Sequence, residues 1–267
     1  MSVAVPSDRE RELTESLSAV RARLTAAAEA AGRDSREIEL LPVTKFFPPD
    51  DVIILSRLGC EAFGESREQE ASNKAREIAS IAGVAPIRWH MVGRIQRNKA
   101  RSVAGWAYAA HSVDSHRLIE ALSRASSDAL DDGRRAEPLR VFIQLSLDGD
   151  ESRGGADIHR TNHVDDLCAA AHAAAGLAFA GLMAIPPRGD DADAAFARLS
   201  AEHQRIQAGY RQRLQLSAGM SDDLESAVKH GSTCVRVGTA LLGQRPLPSP
   251  EVVTPVTSSS QTPKSRA

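Results

Sequence analysis

The strongest constraint on this chain is an alternation that repeats eight times. Short apolar runs at 38–45, 62–65, 87–92, 107–113, 139–147, 178–185, 214–217 and 233–238 are separated by stretches with helical spacing. Those stretches are 50–58, 66–82, 94–103, 115–131, 161–175, 190–213 and 221–230, and a further one, 8–31, ends at Gly32 before the first run. Each run is near-continuously apolar, as a strand covered on both faces must be. Strict alternation of strand and helix marks an α/β chain. Eight units without a composition break favour a closed barrel over an open doubly wound sheet. The expected fold is a single (β/α)8 TIM barrel with an extra N-terminal helix. The length of 267 residues agrees, since such barrels run to about 250 residues.

The barrel is expected to occupy 8–245. Residues 246–267, PLPSPEVVTPVTSSSQTPKSRA, are dense in Pro, Ser and Thr and read as a disordered tail. The net charge of −2 gives no field that would gather nucleic acid or an anionic membrane. Cys60, Cys168 and Cys234 form no C-x-x-C pair, so they read as buried thiols of a reducing compartment. The N-terminus is charged and lacks the apolar core of a signal peptide, and no apolar run approaches the roughly 18 residues of a membrane helix. A cytoplasmic location is expected.

Barrel sites are built at the C-terminal ends of strands. Lys45 ends the first. Apolar or small residues precede it, and burial at a strand mouth would lower its pKa and make the amine nucleophilic toward an aldehyde. A lysine snorkelling from a strand end to solvent explains the position equally well. Gly238-Thr239 opens the segment after the eighth strand, where barrels commonly hold phosphate, and Ser217 ends the seventh. Ordinary turn chemistry is the structural alternative. Arg236 shares a strand face with Gly238, and a strand arginine needs a partner or a pocket. An ion pair with Glu65 would meet that need. His90 and His111 lie on the third and fourth strands. No third or fourth ligand joins them, so they read as buried histidines bonded to backbone rather than as metal ligands. The basic run Arg94–Arg101 has no interleaved aromatics and reads as a solvated helix face.

Taken together, VTKFFP, GESREQE (64–70), RWHMVGRIQRNK (88–99), HSVDS (111–115), GLMAIPP (181–187) and LSAGMSDDLESAVKHGSTCVRVGTALLG (216–243) resemble the pyridoxal phosphate homeostasis protein family, formerly labelled proline synthetase co-transcribed proteins. The resemblance covers residues 8–245. It implies a barrel related to the N-terminal domain of alanine racemase, with pyridoxal 5′-phosphate held as a Schiff base on Lys45. It implies a phosphate held by Ser217, Gly238 and Thr239, and Arg236 near the pyridine nitrogen. It implies a protein that buffers, carries or delivers the vitamin B6 cofactor, without established turnover. The cofactor-binding candidates are therefore Lys45, Ser66, His90, Met183, Ser217, Arg236, Gly238 and Thr239, with no catalytic or metal residue. Two positions depart from the family pattern: Ser66 replaces an asparagine, and Arg153 replaces a lysine.

Three functions compete. The first is a non-catalytic cofactor carrier, monomeric, whose partners are pyridoxal phosphate and the apo-enzymes that need it. The second is a pyridoxal phosphate-dependent amino-acid racemase or decarboxylase. Such barrels add a C-terminal β-domain, whereas here a Pro/Ser/Thr tail follows the barrel, and neither Tyr108 nor Tyr210 ends a strand. The third is a class I aldolase, which would not need the constellation on the eighth strand. The carrier ranks first.

Overall fold

The computed structural model describes residues 7–187, 189 and 191–244. The predicted tail, 246–267, lies outside them. The strands are β1 (Glu39–Pro42), β2 (Ala62–Glu65), β3 (Arg88–Met91), β4 (Ala109–Val113), β5 (Leu139–Ser146), β6 (Ala156–Asp157), β7 (Leu177–Ala184), β8 (Gln215–Ser217) and β9 (Cys234–Val237). Hydrogen bonding runs β1-β9-β8-β7-β5-β4-β3-β2, with every pair parallel. The ring closes between its ends by a parallel bridge from Val43 to Gly64, with Thr44 N–H donating to Gly64 O at 2.9 Å. All eight expected strands are present. The two-residue β6 is additional and pairs with the end of β5, outside the barrel path.

The helices are α1 (Asp8–Ala30), α2 (Pro49–Arg57), α3 (Glu68–Ala79), α4 (Ala100–Trp106), α5 (His116–Asp131), α6 (Thr161–Ala173), α7 (Ala192–Gln207), α8 (Leu224–Lys229) and α9 (Thr239–Leu242). Among the described residues, only the four-residue α9 follows β9. The N-terminal α1 fills the outer layer there, packing on α8, α9 and α2. Its apolar positions Leu13, Leu17, Val20 and Leu24 recur at three and four residues and are buried. Ser7 caps it by accepting from Glu10 N–H. Gly32, at φ 64°, ends it as the left-handed residue past the cap. Arg9 ties α1 down by donating to both carboxylate oxygens of Asp51 on α2 and to Leu242 O of α9.

Two predicted helices differ in a way that matters. The stretch from 66 begins its helix only at Glu68, because Arg67 is still extended (φ −120°, ψ 117°). The stretch from 94 also stays outside any helix through Gln96, makes a 3-10 turn at Arg97–Lys99 and then enters α4. Both delays leave strand-end residues on loops at the barrel mouth. A Cβ on Gly93 would come within 2.1 Å of Ser66 O, so only glycine lets these loops touch.

Candidate cofactor-binding site

A cavity of about 410 Å³ opens at the C-terminal ends of the strands. Lys45, Ser66, Arg236, Gly238 and Thr239 line it, so five of the eight candidates meet there. Lys45 is half-buried three residues past β1. The residue after it, Phe46, has φ 71° and is the only non-glycine with positive φ among the described residues. Such a conformation costs on the order of 1 kcal/mol and persists only where neighbours fix it. Glu70 does so by accepting from Phe46 N–H at 2.8 Å, and Arg67 lies 4.7 Å over the Phe46 ring.

Thr44, before the lysine, is equally constrained. Its hydroxyl donates to Glu65 Oε1 at 2.8 Å, and its carbonyl accepts from Lys74 Nζ at 2.9 Å. Lys74 closes the network with a 2.6 Å ion pair to Glu65. Glu65 is fully buried, and its Oε2 has no partner. Burial pushes its pKa up, opposed by the Lys74 ammonium. Lys45 is therefore delivered to the cavity by a backbone held on both sides.

On the neighbouring strand, Arg236 is buried on β9, in register with Leu41 of β1. It does not pair with Glu65, which Lys74 has taken. Its guanidinium donates to Ser217 Oγ at 2.6 Å and to Ala184 O at 2.9 Å. Among the described residues no carboxylate stands within ion-pair distance of it. Burial lowers its pKa from the ordinary value, and nearby Cys234 and Asp223 oppose this. A Cβ built on Gly238 would meet nothing closer than Val43 O at 3.6 Å. Protein packing therefore does not demand glycine there, and the space belongs to the cavity.

Three candidates lie below the cavity instead. Ser217 is fully buried, and His111 and Arg236 share its hydroxyl. His90 and His111 are buried as expected, but they bond to each other at 2.9 Å rather than to backbone. Burial, with Arg88 and Arg140 nearby, pushes His90 down to about 3. Burial again, then His90 and Arg236, holds His111 well below the usual histidine value. Met183 packs in the barrel interior with Ala109, Phe142 and Ala180.

The cavity wall also brings in residues that were not among the binding candidates: Arg94, Ser112, Gln144, Arg153, Met220 and Ser221. Arg94 thus lines the cavity from an exposed loop, not from a helix face. Ser221 stands where the strand-seven hydroxyl was expected. It joins the two last loops, its Oγ accepting from Ala240 N–H at 3.2 Å. The signal for it was the glycine two residues earlier. Gly219, at φ 92°, turns the chain so tightly that a Cβ would come within 2.5 Å of Ala227 Cβ. The wall therefore combines an amine, three guanidiniums, hydroxyls and the carboxylate of Asp222, and it suits a small anionic ligand with a carbonyl.

Barrel and site together define a protein of the alanine racemase N-terminal-domain class, and residues 16–246 match the family described as alanine racemase, N-terminal domain. The chain belongs, within that class, to the pyridoxal phosphate homeostasis protein family. It is 60% identical over 249 residues to the pyridoxal phosphate homeostasis protein of Mycobacterium tuberculosis, covering 91% of this chain and 96% of that one. Among solved structures, PipY of Synechococcus elongatus with PLP bound superposes with a TM-score of 0.71 at 30% identity, over 86% of this chain and 100% of PipY. D-threonine aldolase from Filomicrobium marinum shares the fold, with a TM-score of 0.66 at 17% identity, and this chain spans 60% of its length. Among the described residues no helix is long and apolar enough to cross a membrane.

Proposed function

We propose that this protein binds pyridoxal 5′-phosphate covalently through Lys45 and serves intracellular vitamin B6 homeostasis as a monomeric cytoplasmic carrier, with residues 8–245 as the binding unit. The observation that carries the reading is the convergence of Lys45, Arg236, Gly238 and Thr239 on one cavity. The cavity fits the group. Arg236 is a buried cation without a carboxylate, and the space beside Gly238 is open to a ligand. Lys45 would hold the aldehyde carbon. Thr239 and Ser221 would donate hydroxyls to the phosphate, and Arg236 would face the ring. Ser66 stands on the wall as a further polar contact, while His90, Met183 and Ser217 act from beneath. When bound, the cofactor supplies an electrophilic aldehyde and a conjugated ring.

The carrier reading is preferred to a racemase or decarboxylase. Two-base α-proton chemistry needs a second acid or base across from the lysine. Apart from the Asp222 carboxylate, the described residues of the cavity wall offer no such group: no histidine, tyrosine or cysteine lines it. Tyr108 lies among Arg88, Arg140 and His90, and Tyr210 packs on His172 and Phe179, both away from the cavity. The chain's further task is to pass the cofactor to apo-enzymes.

The test is the absorbance spectrum of the purified protein before and after borohydride, followed by peptide mapping. The expected result is a yellow protein whose cofactor becomes fixed to the peptide carrying Lys45, and none fixed in Lys45→Ala. An adduct on another lysine, surviving in Lys45→Ala, refutes the assignment.

A further inference from the structure

Below the cavity, side chains from four strands form one hydrogen-bonded chain through the barrel interior. Arg236 on β9 donates to Ser217 on β8 at 2.6 Å, Ser217 Oγ lies 2.9 Å from His111 Nδ1 on β4, and His111 Nε2 lies 2.9 Å from His90 Nδ1 on β3. All four are buried, and the far end, His90 Nε2, has no partner. The His111 ring is held in plane by stacking on Phe142, with centroids 4.3 Å apart.

The chain has two proton arrangements with both imidazoles neutral. Arginine only donates, so Ser217 Oγ accepts from it in either case. In one arrangement Ser217 then donates to His111 Nδ1, His111 donates from Nε2 to His90 Nδ1, and His90 keeps its proton on Nε2. In the other, His90 donates from Nδ1, His111 donates from Nδ1 to Ser217, and the positive ends of both ring dipoles point toward the guanidinium. In a low-dielectric interior the field of Arg236 selects the first. Every acceptor lone pair then faces the cation, and each bond polarises the next.

The consequence concerns what the cavity feels. A buried arginine usually has a carboxylate, which would cancel its charge. Here neutral dipoles hold the cation, so its full charge remains available to a ligand. We propose that His111 is a positioning residue for the bound cofactor: acting through Ser217, it fixes Arg236 against the cavity and holds that charge without neutralising it. The proposal rests on the cavity binding pyridoxal phosphate.

The first experiment uses the 15N-labelled protein without cofactor and reads the imidazole nitrogens by NMR. His90 and His111 are expected to be neutral and protonated on Nε2. An imidazolium, or His111 protonated on Nδ1, overturns the proposal. The second measures pyridoxal phosphate affinity and the absorbance maximum of the bound cofactor. Ser217→Ala and His111→Leu are expected to bind about tenfold more weakly, the effect of losing one hydrogen bond to a charged group, with a shifted maximum. His111→Gln, which keeps an acceptor and a donor, restores both. Thermal unfolding identifies any variant that fails to fold, and Ser217→Ala removes only one oxygen. A folded Ser217→Ala with unchanged affinity and maximum overturns the positioning role. Failure of the wild-type protein to take up pyridoxal phosphate refutes the binding reading itself, and it is seen before any variant is compared.

Discussion

Replacing Lys74 by methionine tests the network that delivers Lys45. The methionine fills a similar volume but removes the 2.6 Å ion pair to Glu65 and the 2.9 Å hydrogen bond to Thr44 O. Glu65 then keeps only the Thr44 hydroxyl, in a site with no solvent exposure. Breaking one partner from a buried pair typically costs about 3–5 kcal/mol. The pH dependence gives an independent signature. Burial already raises the Glu65 pKa above 4.5, and Lys74 is what opposes that rise. Without the ammonium the native carboxyl holds its proton while the unfolded one releases it, so the unfolded state binds fewer protons. Stability then falls as pH rises, by up to about 1.4 kcal/mol per unit. That loss sets in above the carboxyl's ordinary value and adds to the deficit at neutral pH. Urea unfolding of both proteins at pH 4.5 and pH 7 is the assay. A deficit that grows with pH is expected, and Lys74→Met/Glu65→Gln should recover most of it at pH 7. A deficit below 1 kcal/mol at pH 7, or one independent of pH, would refute the reasoning.

Gly238→Val should fill the open space and weaken retention of pyridoxal phosphate by about tenfold or more while leaving pyridoxal less affected, as read by dialysis and absorbance. Equal losses for both ligands would remove the phosphate from that corner. Arg9→Ala strands the buried Asp51 carboxylate and should lower stability by about 2 kcal/mol, measured by denaturant unfolding. Deuterium exchange and chiral analysis over a panel of amino acids should show negligible turnover. Lysine-dependent rates in the ordinary enzyme range, about 1–10³ per second, would promote the racemase reading.

The barrel was legible because its signal is made of long apolar runs at regular spacing, and because the strand-end rule says where such a fold puts its chemistry. Lys45, Arg236, Gly238 and Thr239 reach the cavity because each stands at a strand end or within three residues of one. Ser217 satisfied the same rule and is still below the cavity. The last residue of β8 points into the barrel interior, and the hydroxyl on the cavity wall is Ser221, four residues on, beyond a glycine turn. The rule locates an end of a strand, but period-2 alternation decides whether the residue there faces the barrel interior or the helix layer, and its height along the strand decides whether it reaches the mouth. A one-residue uncertainty in where a strand stops is enough to change both. Arg94 was hidden for the converse reason, since a basic run reads as one helix face until the backbone is seen to stay outside any helix through Gln96. The pairing of Arg236 was hidden more deeply. Glu65, His111 and Ser217 were all available as partners, and nothing local to Arg236 ranks them. The choice is made two strands away, on β2, where Lys74, on the buried face of α3, pairs with Glu65 and leaves the arginine to neutral groups. The charge state of the cavity is therefore set by a helix residue that never touches it, and its influence runs through strand register rather than sequence proximity.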